Sequence, residues 1–184
     1  MAIIRLNNQS ISSVTALPSG IPTGKVLQVQ QAYKTDVLQT TASGVNDISG
    51  LSVNITPSST SNKILVTSFV GGFSHSGRGG GLILNRVIGG SGTDIGRADV
   101  SSNRYNGSFS GDLYTGDAAG TVEMHFNAQT MYLDSPSTTS QITYKVQFNG
   151  TGANLYINCT ENDGSDGSDT SRGVSHITVM EVAS

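Results

Sequence analysis

The chain has 184 residues, enough for one domain to bury a core of its own, and nothing in its length requires a second domain. Charged side chains make up only 12%, hydrophobic ones 35%, and the net charge of −3 leaves the ten Lys and Arg scattered singly. That balance excludes a charge-rich disordered chain and the basic footprint of a nucleic-acid binder, and the single Cys159 excludes an internal disulfide or a paired-cysteine zinc site.

Residues 1–24 open with Ile3, Ile4 and Leu6, then turn Ser-rich and carry Pro18 and Pro22 around Gly20. The composition predicts an arm ahead of a domain of residues 25–184. An edge strand completing the domain's own sheet is one reading. A docking segment, with Ile3, Ile4 and Leu6 as the partner-binding tip, is the other. Asn7, Asn8, Gln9 and Ser10 interrupt any signal-peptide core. No later stretch approaches the ~20 apolar residues of a membrane helix, so a soluble chain is expected.

From Lys25 onward strand patterns follow one another. KVLQVQQAY (Lys25 to Tyr33) alternates with period two, as a half-buried strand does. Leu51, Val53 and Ile55 alternate with Ser52, Asn54 and Thr56 until Pro57 ends the run. KILVTSFVGGF is more continuously apolar and is expected in the interior. GGGLILNRVI, TVEMHFNAQTMYL, QITYKVQF, ANLYINCT and VSHITVMEV come next, separated by Gly-, Ser- and Asp-rich turns. In the last run Val174, His176, Thr178 and Met180 share one face, and Ser175, Ile177, Val179 and Glu181 the other, which suits a strand whose outer side meets another subunit. The count, roughly nine to eleven strands with no helical period, predicts an all-β fold: a single, jelly-roll-like β-sandwich with a short N-terminal arm.

No catalytic constellation emerges. His75, His125 and His176 lack an accompanying nucleophile motif, and Cys159 in NLYINCT lacks basic neighbours and reads as a small buried hydrophobe. Asp112, Asp117, Glu123 and Asp134 are too scattered to define a glycosidase pair. GRGGG (Gly77 to Gly81) and GGSG (Gly89 to Gly92) lack phosphate-loop spacing and read as tight turns. The loop Glu161 to Asp169 offers Asp163, Asp166 and Asp169 as hard oxygen ligands for calcium, but its spacing matches no EF-hand. No cofactor and no enzymatic activity are expected.

Three segments, NITPSSTSNKILV (Asn54 to Val66), YLDSPSTTSQITYKVQF (Tyr132 to Phe148) and SHITVMEVA (Ser175 to Ala183), resemble in their order a β-sandwich module of marine tailed phages. That module occurs in small virion proteins and at the C-terminal ends of tail-fibre-like proteins. The resemblance spans residues 25–184 and implies a β-sandwich, commonly trimeric, with no catalytic residue to carry over. Each segment also has a local reading. ITPSSTSNKILV is hairpin chemistry started by Pro57, and Asp134 and Ser135 can bond the local backbone before Pro136.

The chain departs from the family in brevity, since only the arm precedes the module. The expectation is therefore a virion protein assembled in the host cytoplasm. As a homotrimeric capsid decoration or cement protein it would sit on the head surface, with the arm on a neighbour or on the major capsid protein. The alternative is a tail or head fibre tip that binds host surface glycan, for which Tyr105, Tyr114 and Tyr132 are stacking candidates; aromatics at 6% and the absence of Trp weigh against it. Neither nucleic acid nor membrane is an expected partner.

Overall fold

The computed structural model describes residues 24–75, 81–99, 105–109, 126–160, 163 and 171–184. Among these the chain forms ten strands and no helix: β1 (Val26–Lys34), β2 (Leu38–Thr40), β3 (Ser43–Ile55), β4 (Lys63–His75), β5 (Gly81–Ile88), β6 (Ser91–Ile95), β7 (Phe126–Asp134), β8 (Ile142–Thr151), β9 (Leu155–Ile157) and β10 (Ser175–Val182). The all-β fold and the strand number agree with the sequence. The arm, with Ile3, Ile4 and Leu6, lies outside the described residues, as do His125, Tyr114, Asp112, Asp117, Glu123, Asp166 and Asp169.

Alternation along the strands explains the two-sheet architecture. Ile48, Leu51, Val53 and Ile55 of β3 and Ile142, Tyr144, Val146 and Phe148 of β8 point to one side and are buried, so each strand has an apolar face that needs a cover. The cover is the inner face of the opposing sheet, which supplies Ile64, Val66, Val70, Ala128, Ile177 and Val179. One sheet has the order β3-β8-β5-β6. The other runs β1-β10-β4, with β7 on the free edge of β4 and the short β9 and β2 continuing from its C-terminal end.

The antiparallel pairs are nested: β1 with β10, β2 with β9, β3 with β8, β4 with β7, and β5 with β6. The innermost pair closes over Gly89 and Gly90, which sit at φ +56° and +84°. Two positive-φ residues in a two-residue hairpin make a type I′ turn, which glycine accepts without a steric cost. GGSG is thus a tight turn, as the sequence suggests.

Three local expectations are changed by the sheet order. ITPSSTSNKILV is not a hairpin: β3 and β4 lie in different sheets and do not pair, so the segment crosses from one sheet to the other. β1 lies at an edge of the described sheet, and Val26, Leu27 and Val29 are exposed instead of half-buried; Gln28, Ala32 and Lys34 are the residues that turn inward. β4 is central, yet it alternates. Ile64, Val66, Ser68 and Val70 face the core, and Leu65, Thr67 and Phe69 the outer side. A bulge at Gly71 and Gly72 then shifts its register.

Buried polar groups tie the shell together. Glu181 is 1% exposed, and its carboxylate accepts from Asn62 Nδ2 (2.6 Å), Ser58 N and Oγ (both 2.7 Å) and Gln28 Nε2 (2.6 Å), so β10 clamps the β3–β4 turn. Asp134 is read from sequence as a local turn former. Its carboxylate instead reaches across the sandwich, accepting from Arg86 Nη1 of β5 at 2.9 Å and from the Tyr144 hydroxyl of β8 at 2.6 Å. Asn158 donates to the carbonyls of Lys34 and Asp36 and accepts from Ser175 Oγ, which in turn accepts from Gly71 N.

Candidate functional site

The two outer faces of the sandwich differ in chemistry. On the β3-β8 side, Lys145 and Gln147 both donate to Asp47 (2.8 and 2.6 Å), and Thr143 donates to Asn54 (2.6 Å). Partial burial pushes the Asp47 carboxyl up, but the Lys145 and Gln147 hydrogen bonds prevail and hold it below its ordinary value. This is an ordinary solvated face.

The opposite face is built by β1, β10, β4 and β7, whose register aligns three cross-strand rows. Val29, Met180, Leu65 and Leu133 form the first, and Gln31, Thr178, Thr67 and Met131 the second. Tyr33, His176, Phe69 and Gln129 form the third. None of the twelve positions holds Asp, Glu, Lys or Arg. Met131 is 71% exposed, Tyr33 58%, Val29 51% and Leu133 48%, so the apolar groups stand in water. The rows are thus uncharged and mixed, with seven apolar or aromatic side chains among hydroxyls, amides and one imidazole.

Rings organise the third row. His176 stacks on Phe69 at a centroid separation of 5.7 Å and on Tyr33 at 6.4 Å, with planes 18° and 11° apart, so three rings lie nearly parallel across three strands. Beside them a shallow groove of about 480 Å³ is lined by Thr67, Phe69, Gln129, Thr130, Met131 and His176. Its lining combines an apolar floor with hydroxyl and amide walls and an imidazole. It holds no paired acid and base.

Comparison with family models and with curated proteins returns no match for this chain.

The residues singled out from sequence are placed as follows. His176 and Met180 lie together on the outer face and Ser175, Ile177, Val179 and Glu181 inside, the two-faced arrangement expected of that strand. Cys159 is fully buried. Burial pushes its thiol up, against the weak Gln39 Nε2 hydrogen bond to Sγ at 3.9 Å, so it is not a reactive thiolate. Asp134 is locked between Arg86 and Tyr144. In the acidic loop, Asp163 accepts two bonds from Arg172, at 2.8 and 2.9 Å, which occupies both its oxygens. Among the described residues no group of three or more His, Cys, Asp or Glu is gathered to hold a metal.

Tyr132 is only partly exposed and lies against Gly96, and Tyr105 lies against Gly81. Neither joins the stack. The rings that do, Tyr33 and Phe69, are not the tyrosines the sequence pointed to. Their period-two position opposite His176 is the signal that was there to be read, but it needs the register to become a surface.

Proposed function

We propose that this chain is a non-catalytic structural protein of a bacteriophage virion, a homotrimer that decorates the head surface and contacts the major capsid protein or another virion protein. The observation that carries this reading is the three uncharged, partly exposed rows on the outer face of the β1-β10-β4-β7 sheet, a surface suited to permanent contact. The resemblance of the three segments supplies the phage setting. The nested strand pairing supports a jelly-roll reading of the sandwich, an architecture that viral capsid domains share with lectins and cupins. Architecture alone does not set function, so the surface bears the argument.

Decoration works by numbers, because each copy adds a modest interface that stabilises the assembled shell by mass action. In this reading residues 1–24, led by Ile3, Ile4 and Leu6, dock on a neighbour. Deleting them leaves a folded trimer unable to join the particle; loss of folding instead makes them part of the sandwich.

A second reading is favoured by the Tyr33–His176–Phe69 stack, which with Gln129 offers a sugar both a flat ring and hydrogen-bonding groups. It makes the chain a fibre tip that binds host surface glycan. Quantitative proteomics of purified particles separates the two. A copy number matching the capsid lattice supports decoration, one matching the tail or a single vertex supports the fibre, and particles devoid of the chain overturn both.

A further inference from the structure

We propose that copies of this chain associate through the outer face of the β1-β10-β4-β7 sheet, the Met131 side chain of one copy seating in the groove beside Phe69 and His176 of another. The inference deepens only the self-association in the reading above, and two plates meeting face to face make a twofold contact in place of the threefold one. Three observations carry it.

The first is charge. Each copy carries a net charge of −3, so like-charged faces repel and a contact is favoured where neither copy presents charge. The three rows satisfy that condition, whereas the opposite outer face presents Asp47 and Lys145. Depletion of charged residues is what marks the core of an interface.

Shape comes second. The face holds both a knob and a hole. Met131 is the most exposed large hydrophobic among the described residues, at 71%, and the groove of about 480 Å³ opens directly beside it. A surface carrying both halves of a contact is complementary to itself, and an unbranched thioether adapts to an irregular groove lined by rings.

Area is third. Four strands of eight or more residues make a plate of about 500 Å², from strand spacings of about 4.8 Å and rises of about 3.3 Å per residue. Two copies meeting over it remove at least about 1,000 Å² from water, the lower bound for a specific interface. An anionic membrane is a poorer fit, because the twelve row positions hold no Lys or Arg. A sugar would leave Val29 and Leu133 in water, at 51% and 48% exposure.

The test uses the full chain and its mass in sedimentation equilibrium. Wild type is expected as a multimer, and Met131→Asp as a single 19.1 kDa chain with unchanged far-UV circular dichroism and cooperative unfolding. Asn54→Asp adds the same charge to the other outer face and is expected to stay a multimer. A wild-type monomer overturns the inference, and its retention on immobilised N-acetylglucosamine would assign the face to a sugar. A Met131→Asp multimer overturns it as well, because the contact then lies elsewhere. A wild-type dimer that Met131→Asp dissociates upholds the face and removes the threefold arrangement. A multimer missing from purified particles upholds the face and removes the virion.

Discussion

Phe69 of β4 and His176 of β10 are register partners whose rings stack 5.7 Å apart on the outer side of the sheet, while Ile177, one residue on, is fully buried on the inner side. Adjacent residues of one strand therefore contribute through different physics. A stacked ring pair is worth about 1 kcal/mol beyond its buried area, and His176 makes two, so His176→Ala is expected to cost about 2 kcal/mol. Ile177→Ala leaves a cavity in the core and is expected to cost about 3 to 4 kcal/mol. Urea unfolding of the two variants at one protein concentration checks the register. Equal losses would contradict it.

Glu181 gives the fold a defined acid limit. Burial alone raises its carboxyl, but the hydrogen bonds from Asn62, Gln28 and Ser58 outweigh it and bring the pKa from 4.5 down to about 2. A carboxyl lowered by folding stabilises above the unfolded value and loses that contribution as pH falls towards the folded value. Between pH 4.5 and about 2 this group is therefore expected to withdraw about 3 kcal/mol. Glu181→Gln should be about 2 kcal/mol less stable at neutral pH, since charge-assisted bonds become neutral ones. Its stability should also fall less steeply below pH 4.5. Denaturant midpoints across that range decide it, and parallel slopes for the two proteins would refute the assignment.

The strands were legible because period two is local: Leu51, Val53 and Ile55 announce an inner face with no knowledge of their partners. The two faces of β10 were legible for the same reason. What alternation does not say is which face is covered. Val29 and Tyr33 alternate as cleanly as a core strand does, yet they lie outward on an edge. The row Val29–Met180–Leu65–Leu133 joins four distant segments, so the surface exists only once the register is known. Long-range polar partners were hidden likewise. Asp134 looks like a turn former beside Pro136, but its partner Arg86 is 48 residues away, and the turn at Ser58 is held by Glu181, 123 residues away.

Gly71 should tolerate no side chain. A Cβ there would collide with the backbone carbonyl oxygen of Val174, while the residue's own N–H donates to Ser175 Oγ and its carbonyl accepts from Asn158 N. The Val174 carbonyl is backbone and cannot turn away as the end of a side chain could. Gly71→Ala is expected to cost about 3 kcal/mol, at the upper end of overpacking penalties. In thermal unfolding Gly71→Ala should therefore melt well below wild type, and an unchanged midpoint would mean that β4 and the start of β10 separate easily.

The Asp134–Arg86–Tyr144 cluster joins the two sheets through buried polar atoms, Asp134 being 4% and Tyr144 1% exposed. Removing Arg86 leaves a buried carboxylate facing a single hydroxyl, so Arg86→Met is expected to cost about 3 to 5 kcal/mol. Tyr144→Phe removes one charge-assisted bond and should cost about 2 kcal/mol. Burial, and next the hydrogen bond to Asp134, push the Tyr144 phenol above its ordinary value of 10.0. A phenol raised by folding is stabilising below its unfolded value and loses that contribution as pH climbs past it. Tyr144 should therefore add no phenolate absorbance until the sandwich unfolds. Alkaline titrations of wild type and Tyr144→Phe, followed by tyrosinate absorbance, should superimpose up to the unfolding transition. They should differ by one tyrosine beyond it. An early divergence would show the phenol reaching water in the folded state and would break the link between the sheets that Asp134 makes.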